Sequence, residues 1–316
     1  MGGGPNADAH RAERTPITAQ GRSRDAFTAR DWGLLLFVGG VFGSSFLFIE
    51  IGLTSLAPAV VTLLRLLLGF GTLSLFPRAR HVEMSRADVR RTSAIGLVWL
   101  GIPLLLFPLA QQWIDSSVAG MLNGAMPLMT VAWTALLGRT FPARVQAVGL
   151  GVGFVGIVAV SLPEVPVASL GTTETLLGAA MALTAATLYG LAATLVTPLQ
   201  QRYGSLPVML RAQRAAIVFV LPFALVGLSS SRPSWPSLLA MVPLGVLGTA
   251  LAFVAIATLI GRVGAPRGSV AVYLVPIVAI ALGVVFLGET VHPLALGGAL
   301  LIVAGAWLTS RREEPA

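Results

Sequence analysis

The chain is 316 residues long, 55% hydrophobic and only 11% charged. A soluble domain is about 45 to 50% apolar and about 25% charged, so this is the composition of an integral membrane protein. The absence of cysteine excludes disulfides, thiolate nucleophiles and Cys-ligated metals, and the net charge of +8 would suit a nucleic-acid partner only if it were gathered on one surface.

Residues 1–31 hold no apolar run, and their Gly, Pro, Ala, Arg and acidic residues predict a disordered tail rather than a cleavable signal peptide. Trp32–Ile49 then reads as an uncleaved first span. It is followed by Pro58–Phe76, Thr92–Ala110, Ser117–Leu137 and Val145–Leu162, and after a polar gap by Thr175–Thr197, Leu206–Leu228, Trp235–Ile260, Ser269–Leu287 and Leu294–Leu308. Each approaches the roughly 20 apolar residues that a helix needs to cross a bilayer, which predicts an all-α polytopic membrane protein of ten transmembrane helices.

Loop charge tests that count. With the N-terminus inside, the tail and the inner loops hold 17 of the 21 arginines, the outer loops hold only Arg232, and Arg65, Arg211 and Arg214 lie within helices. That is the asymmetry of the positive-inside rule, so both termini are expected in the cytoplasm, and a bacterial inner membrane is the expected location. The basic charge is then explained by topology, with anionic lipid as its contact and no nucleic acid.

One constant offset of 149 residues superposes the chain on itself: Pro58 on Pro207, Arg65 on Arg214, Gly96 on Gly245, Pro127 on Pro276, Gly149 on Gly298 and Gly156 on Gly305. Residues 32–162 and 175–310 are therefore two five-helix repeats. Because five is odd, the second enters the membrane from the opposite side, so the repeats are inverted. That is an architecture of alternating-access carriers.

The segment LVPIVAIALGVVFLGET around Pro276, the Gly-rich last helix, FGSSFLFI in the first helix, Arg65 seven residues after Pro58, and the duplication together resemble a ten-helix EamA-type member of the drug/metabolite transporter superfamily. The resemblance spans roughly Trp32 to Ser310. It departs at Phe42-Gly43 and Glu50, where the family often has Trp-Gly and a nearby Lys, and at Gly138-Arg139-Thr140, where a Gly-Glu pair is common; the second repeat keeps Gly288-Glu289. The resemblance implies that helices one, three, four, six, eight and nine surround a central cavity while five and ten are peripheral. Carried onto this chain, the mid-membrane polar and aromatic residues of those helices are Ser44, Ser45, Trp99, Asn123, Trp133, Tyr189, Thr249, Phe253 and Tyr273, the candidate substrate-binding set.

Arg65 and Arg214 are the charges that a bilayer would make costly, at about 2.5 kcal/mol or more each. Each is read as an anion clamp or gate, against the structural alternative of an arginine that binds helix-end carbonyls or lipid phosphate. Pro127 and Pro276 follow Asn123 and Tyr273 by three or four residues, and a proline frees a carbonyl one turn earlier that can line a cavity. Glu50, Asp115 and Glu289 fall at outer helix ends, where caps are the ordinary use, although Glu50 or Asp115 is a candidate partner for Arg65. The string Gly151-Val152-Gly153-Phe154-Val155-Gly156 matches a dinucleotide fingerprint. Set inside an apolar helix, it reads instead as close packing or dimerisation, which leaves a homodimer as a candidate assembly.

The only histidines are His10, His81 and His292, in the tail or at loops, and no acid pair lies near mid-membrane, so neither catalytic machinery nor a metal or cofactor site is expected. The expected function is secondary transport, read as export, of a small organic metabolite, amino acid or drug-like compound, with protons as a candidate coupling ion. The alternative is a membrane receptor or assembly partner that keeps the carrier fold without transport.

Overall fold

In the computed structural model, the described residues are 16–138, 141–161, 172–282 and 293–311, and no strand occurs among them. Ten helical rods follow one another: α1 (Ala29–Leu53), α2 (Pro58–Ser74), α3 (Arg86–Ala110), α4 (Ser116–Asn123 and Met126–Gly138), α5 (Arg144–Ser161), α6 (Thr173–Tyr203), α7 (Ser205–Gly227), α8 (Trp235–Val263), α9 (Ala265–Ser269, a 3-10 stretch Val270–Leu274, and Val275–Leu282) and α10 (Pro293–Ser310). Six of the helices are long and apolar enough to cross a membrane on their own, and the remaining four are shorter apolar helices. This is an all-α polytopic membrane fold.

Local signals start and stop these rods. Thr28 and Asp31 form a reciprocal capping box at the start of α1, and Pro58 opens α2 at a position whose N–H would be unpaired anyway. Gly204 and Gly264 end α6 and α8 at φ of 81° and 88°, a region that favours glycine, so the chain reverses into α7 and α9 within one residue. Pro127 and Pro276 each sit at the second position of a restarted helix, after the break at Gly124–Ala125 in α4 and after the 3-10 stretch in α9. Both fourth helices of the repeat are thus interrupted at the same place.

The third helices are irregular in register with one another as well. The π-helical turn Leu97–Gly101 of α3 falls, 149 residues on, inside the π-helical stretch Leu244–Leu251 of α8. Such bulges leave backbone groups to be satisfied from outside the ladder. Here the Thr249 hydroxyl donates to the Leu244 carbonyl at 2.9 Å, and Gln213 Nε2 of α7 donates to the Thr249 carbonyl at 2.6 Å.

α5 packs along α10 through glycine. A Cβ at Gly149 would meet the Gly305 carbonyl at 2.8 Å, and one at Gly156 would meet the Gly298 carbonyl at 2.7 Å. The repeat maps Gly149 to Gly298 and Gly156 to Gly305, so each contact is the image of the other. That exchange is the signature of a twofold interface. The contacts also require the two helices to run antiparallel, as inverted repeats must. The GxGxxG string is therefore a packing surface: Gly153 faces Tyr273 and Gly156 faces α10, as Gly149 before it does, whereas Gly151 has nothing near it.

The tail differs from its expected disorder over Pro16–Thr28, which lies across the end of the bundle that carries the termini. Arg91 Nη2 donates to the Ile17 carbonyl, Gln201 Nε2 to the Gln20 carbonyl, Ser23 N to the Arg262 carbonyl and Phe27 N to the Ser310 carbonyl. Buried Arg267 gathers the carbonyls of Ser23, Asp25, Thr309, Ser310 and Arg311, and Asp31 pairs with Arg262 at 2.7 Å. The low apolar content predicted disorder because it omits this second means of ordering a segment, hydrogen bonding of its backbone by arginines of other helices.

Candidate functional site

A central cavity of about 40 Å³ is lined by α1, α2, α3, α4, α6, α8 and α9, with no contribution from α5, α7 or α10. Three pairs of lining residues are repeat images: Leu104 and Phe253, Phe107 and Ile256, Asn123 and Val272. The cavity therefore straddles the axis that relates the two halves.

Its chemistry is not symmetric. Six aromatic rings run through the wall in one connected chain: Phe42 and Trp99 both meet Phe253, Phe253 meets Tyr189, Tyr189 stacks on Phe107, and Phe107 meets Phe46. Ring centroids lie between 5.2 and 6.3 Å apart, within the range of favourable edge and offset contacts. Against this apolar wall stand Ser45, Asn123 and Arg65. Ser45 donates to the Val41 carbonyl of its own helix at 2.7 Å, whereas Asn123 Oδ1 is buried with no hydrogen-bond partner.

Arg65 is 3% exposed. Its Nε donates to Thr249 Oγ1 at 2.9 Å, and because the Thr249 proton is already committed to the Leu244 carbonyl, the hydroxyl can serve Arg65 only as an acceptor. The π-helical stretch of α8 thus fixes the guanidinium. A Cβ on Gly248 would stand 2.9 Å from Ser45 Oγ and 3.9 Å from Arg65 Nη2, so glycine at this position lets α8 approach both side chains. Among the described residues no acid pairs with Arg65, and none lines the cavity. Glu50 and Asp115 are exposed and make no ion pair with Arg65, and Glu289 lies outside the described residues.

The EamA-like transporter family matches the chain twice, over residues 31–162 and 176–311. The chain belongs to the EamA-like transporter family. Among relatives, a protein of Streptantibioticus cattleyicolor named "Probable terminal-alkyne amino-acid exporter" is 28% identical over 89% of this chain and 93% of its own. One of Salmonella typhimurium named "Probable amino-acid metabolite efflux pump" is 25% identical over 88% and 94%. A solved crystal structure matches the fold with a TM-score of 0.72 at 19% identity, over 91% of this chain and 98% of that one. As a member of the family the chain is a multi-pass membrane transporter of small molecules and not an enzyme.

The family's expected site residues fall into three groups. Ser45, Trp99, Asn123, Tyr189 and Phe253 line the cavity, and Thr249 reaches it by holding Arg65. Ser44, Trp133 and Tyr273 do not line it. Ser44 donates to the Val41 carbonyl, Trp133 ties α4 to α6 through the Thr187 carbonyl at 3.1 Å, and Tyr273 is fully buried with its hydroxyl on the Leu150 carbonyl of α5 at 2.9 Å. Arg214 departs furthest from expectation, since it is exposed on the flank of α7 while Gln213 beside it is the buried polar residue. A helix turns about 100° per residue, so one step of register carries a side chain out of the cavity. Phe42, Phe46 and Phe107 escaped the sequence reading, although the repeat offset applied to Asn123 and Phe253 would have pointed to Val272 and Leu104.

Proposed function

We propose that this protein is a secondary active exporter of a small organic metabolite, amino acid or drug-like compound, working by alternating access in a bacterial inner membrane with both termini cytoplasmic. The observation that carries the reading is the central cavity lined by the repeat-related pairs Leu104/Phe253, Phe107/Ile256 and Asn123/Val272, bounded by rods that an inverted repeat allows to exchange roles. The names of the two relatives support export of amino-acid-like solutes. The substrate-contacting set is Ser45, Trp99, Asn123, Tyr189 and Phe253, with Arg65 held by Thr249. The described cavity wall has no carboxylate, so a coupling proton would have to be carried by a group outside that wall.

Reconstitution into vesicles tests it. Vesicles loaded with unlabelled amino acids should take up labelled ones by counterflow, and Asn123→Leu should slow this without unfolding the protein. Solute-dependent thermal stabilisation without movement of any solute across the vesicle would replace the exporter by a receptor.

A further inference from the structure

Among the described residues, Arg65 in the cavity wall has no counter-ion. Arg65 is 97% shielded, its Nε is committed to Thr249, and no hydrogen bond or ion pair to its two terminal nitrogens occurs among the described residues. Burying a charge unpaired is costly in protein and in membrane alike, so such a group normally marks a pathway or a ligand. The fixed Nε leaves the two Nη atoms as a fork of the kind that carboxylates accept with two parallel bonds. The buried Asn123 Oδ1 in the same wall offers an unused acceptor. The rest of the wall is Ser45, the connected ring chain and aliphatic side chains, a surface matched to an apolar or aromatic body.

Resting on the transport reading of this cavity, we propose that the solute is a small carboxylate with an apolar, ring-sized body, its carboxylate held by Arg65 and its body by the rings around Phe253. An N–H on the solute, as in an amino acid, finds its acceptor at Asn123. Cations are rejected. Aromatic walls often attract them, but two positive charges about 4 Å apart at an effective dielectric constant of about 20 lose on the order of 1000-fold in affinity. The second repeat cannot supply the same clamp, because the image of Arg65 points out of the bundle and the image of Trp99 is Gly248 itself.

The test uses the full chain, purified and reconstituted, with 3-phenylpropionate, phenylalanine, phenethylamine and 3-phenylpropanol as probes. The two acids should raise the melting temperature and exchange across vesicles, and phenethylamine should do neither. Arg65→Gln should weaken the acids about 10- to 100-fold, the usual worth of hydrogen bonds to a charged group, and Arg65→Lys should restore part of the loss. Without ligand, Arg65→Gln should melt no lower than the parent, because a buried unpaired charge has been removed; a structural arginine would give the opposite. Thr249→Val, which frees Nε while keeping the charge, should weaken the acids less and still reject phenethylamine. Binding of phenethylamine as tight as that of the acids, unchanged acid affinity in Arg65→Gln, or no binding of either acid would each overturn the carboxylate proposal. Transport of the amine or the alcohol would then leave the exporter reading standing. Acids bound through Arg65 but never moved would instead leave the clamp and remove the exporter.

Discussion

Arg65 and Arg214 occupy the same place in two copies of one sequence repeat and live in different worlds. The first is sealed in the cavity wall, braced by Thr249 from the opposite half; the second is exposed on the flank of α7, with Gln213 taking the buried side and bonding the π-helical backbone of α8. Elsewhere the halves agree closely. Their third helices carry π-helical turns at matching positions, their fourth helices break before Pro127 and Pro276, and their fifth helices cross through exchanged glycines. The repeat thus preserves the backbone devices that let two halves close on one axis, while side chains on that axis have diverged so that, among the described residues, only the first half places a charge in the cavity wall.

The sharpest way to break the shared part is at the α5–α10 crossing. Gly305→Leu places its Cβ 2.5 Å from Gly153 N and 2.6 Å from the Gly149 carbonyl, backbone that cannot move aside. A loss of about 3 kcal/mol is expected, read as failure to accumulate as a monodisperse protein. Gly297→Leu, with nothing within 4 Å, should be tolerated, and equal damage from both would mean that the crossing is not the source of the tight packing.

The diverged part is probed by pairing Arg65→Gln with Arg214→Gln in the counterflow assay. The first should lower acid exchange about 10- to 100-fold, and the second, as a surface change, should stay within about twofold. Similar losses in both would restore the symmetric reading of the two arginines.

A smaller effect belongs to the start of α1. Asp31 is 2% exposed, completes the capping box with Thr28 and pairs with Arg262, a combination whose repeat image is Ala180. Asp31→Asn should cost about 1 to 2 kcal/mol, mostly through the cap, because the Arg262 side chain is a third exposed and the pair is partly screened. The melting temperature should fall with acid affinity unchanged. The smallest expected change is Tyr273→Phe, which deletes the hydrogen bond to the Leu150 carbonyl for about 1 kcal/mol of stability. Loss of acid binding in that variant would return Tyr273 to the cavity.

The candidate site was partly legible for reasons that these residues make plain. Trp99, Asn123 and Phe253 could be placed because the resemblance names the helices that surround the cavity, and these are polar or aromatic residues midway along them. Tyr273 and Trp133 could not be told from them, since an aromatic with a polar tip is equally useful for filling a helix crossing and satisfying one carbonyl, and only the neighbour decides. Arg214 failed because repeat alignment carries residue positions and not helix rotation. Pro16–Thr28 failed because its order comes from Arg91, Arg262 and Arg267 on distant helices rather than from anything in its own composition.

By itself the sequence determined the membrane class, the ten spans and the duplication, because span length, apolar content and a constant offset are one-dimensional properties that survive folding unchanged. Tertiary structure decided which of two equivalent arginines is buried, which glycines meet across the axis, and that Thr249 turns its oxygen toward Arg65. Those outcomes depend on the rotation of one helix against another, where a single residue of register moves a side chain by about 100°. No pattern along the chain records that angle.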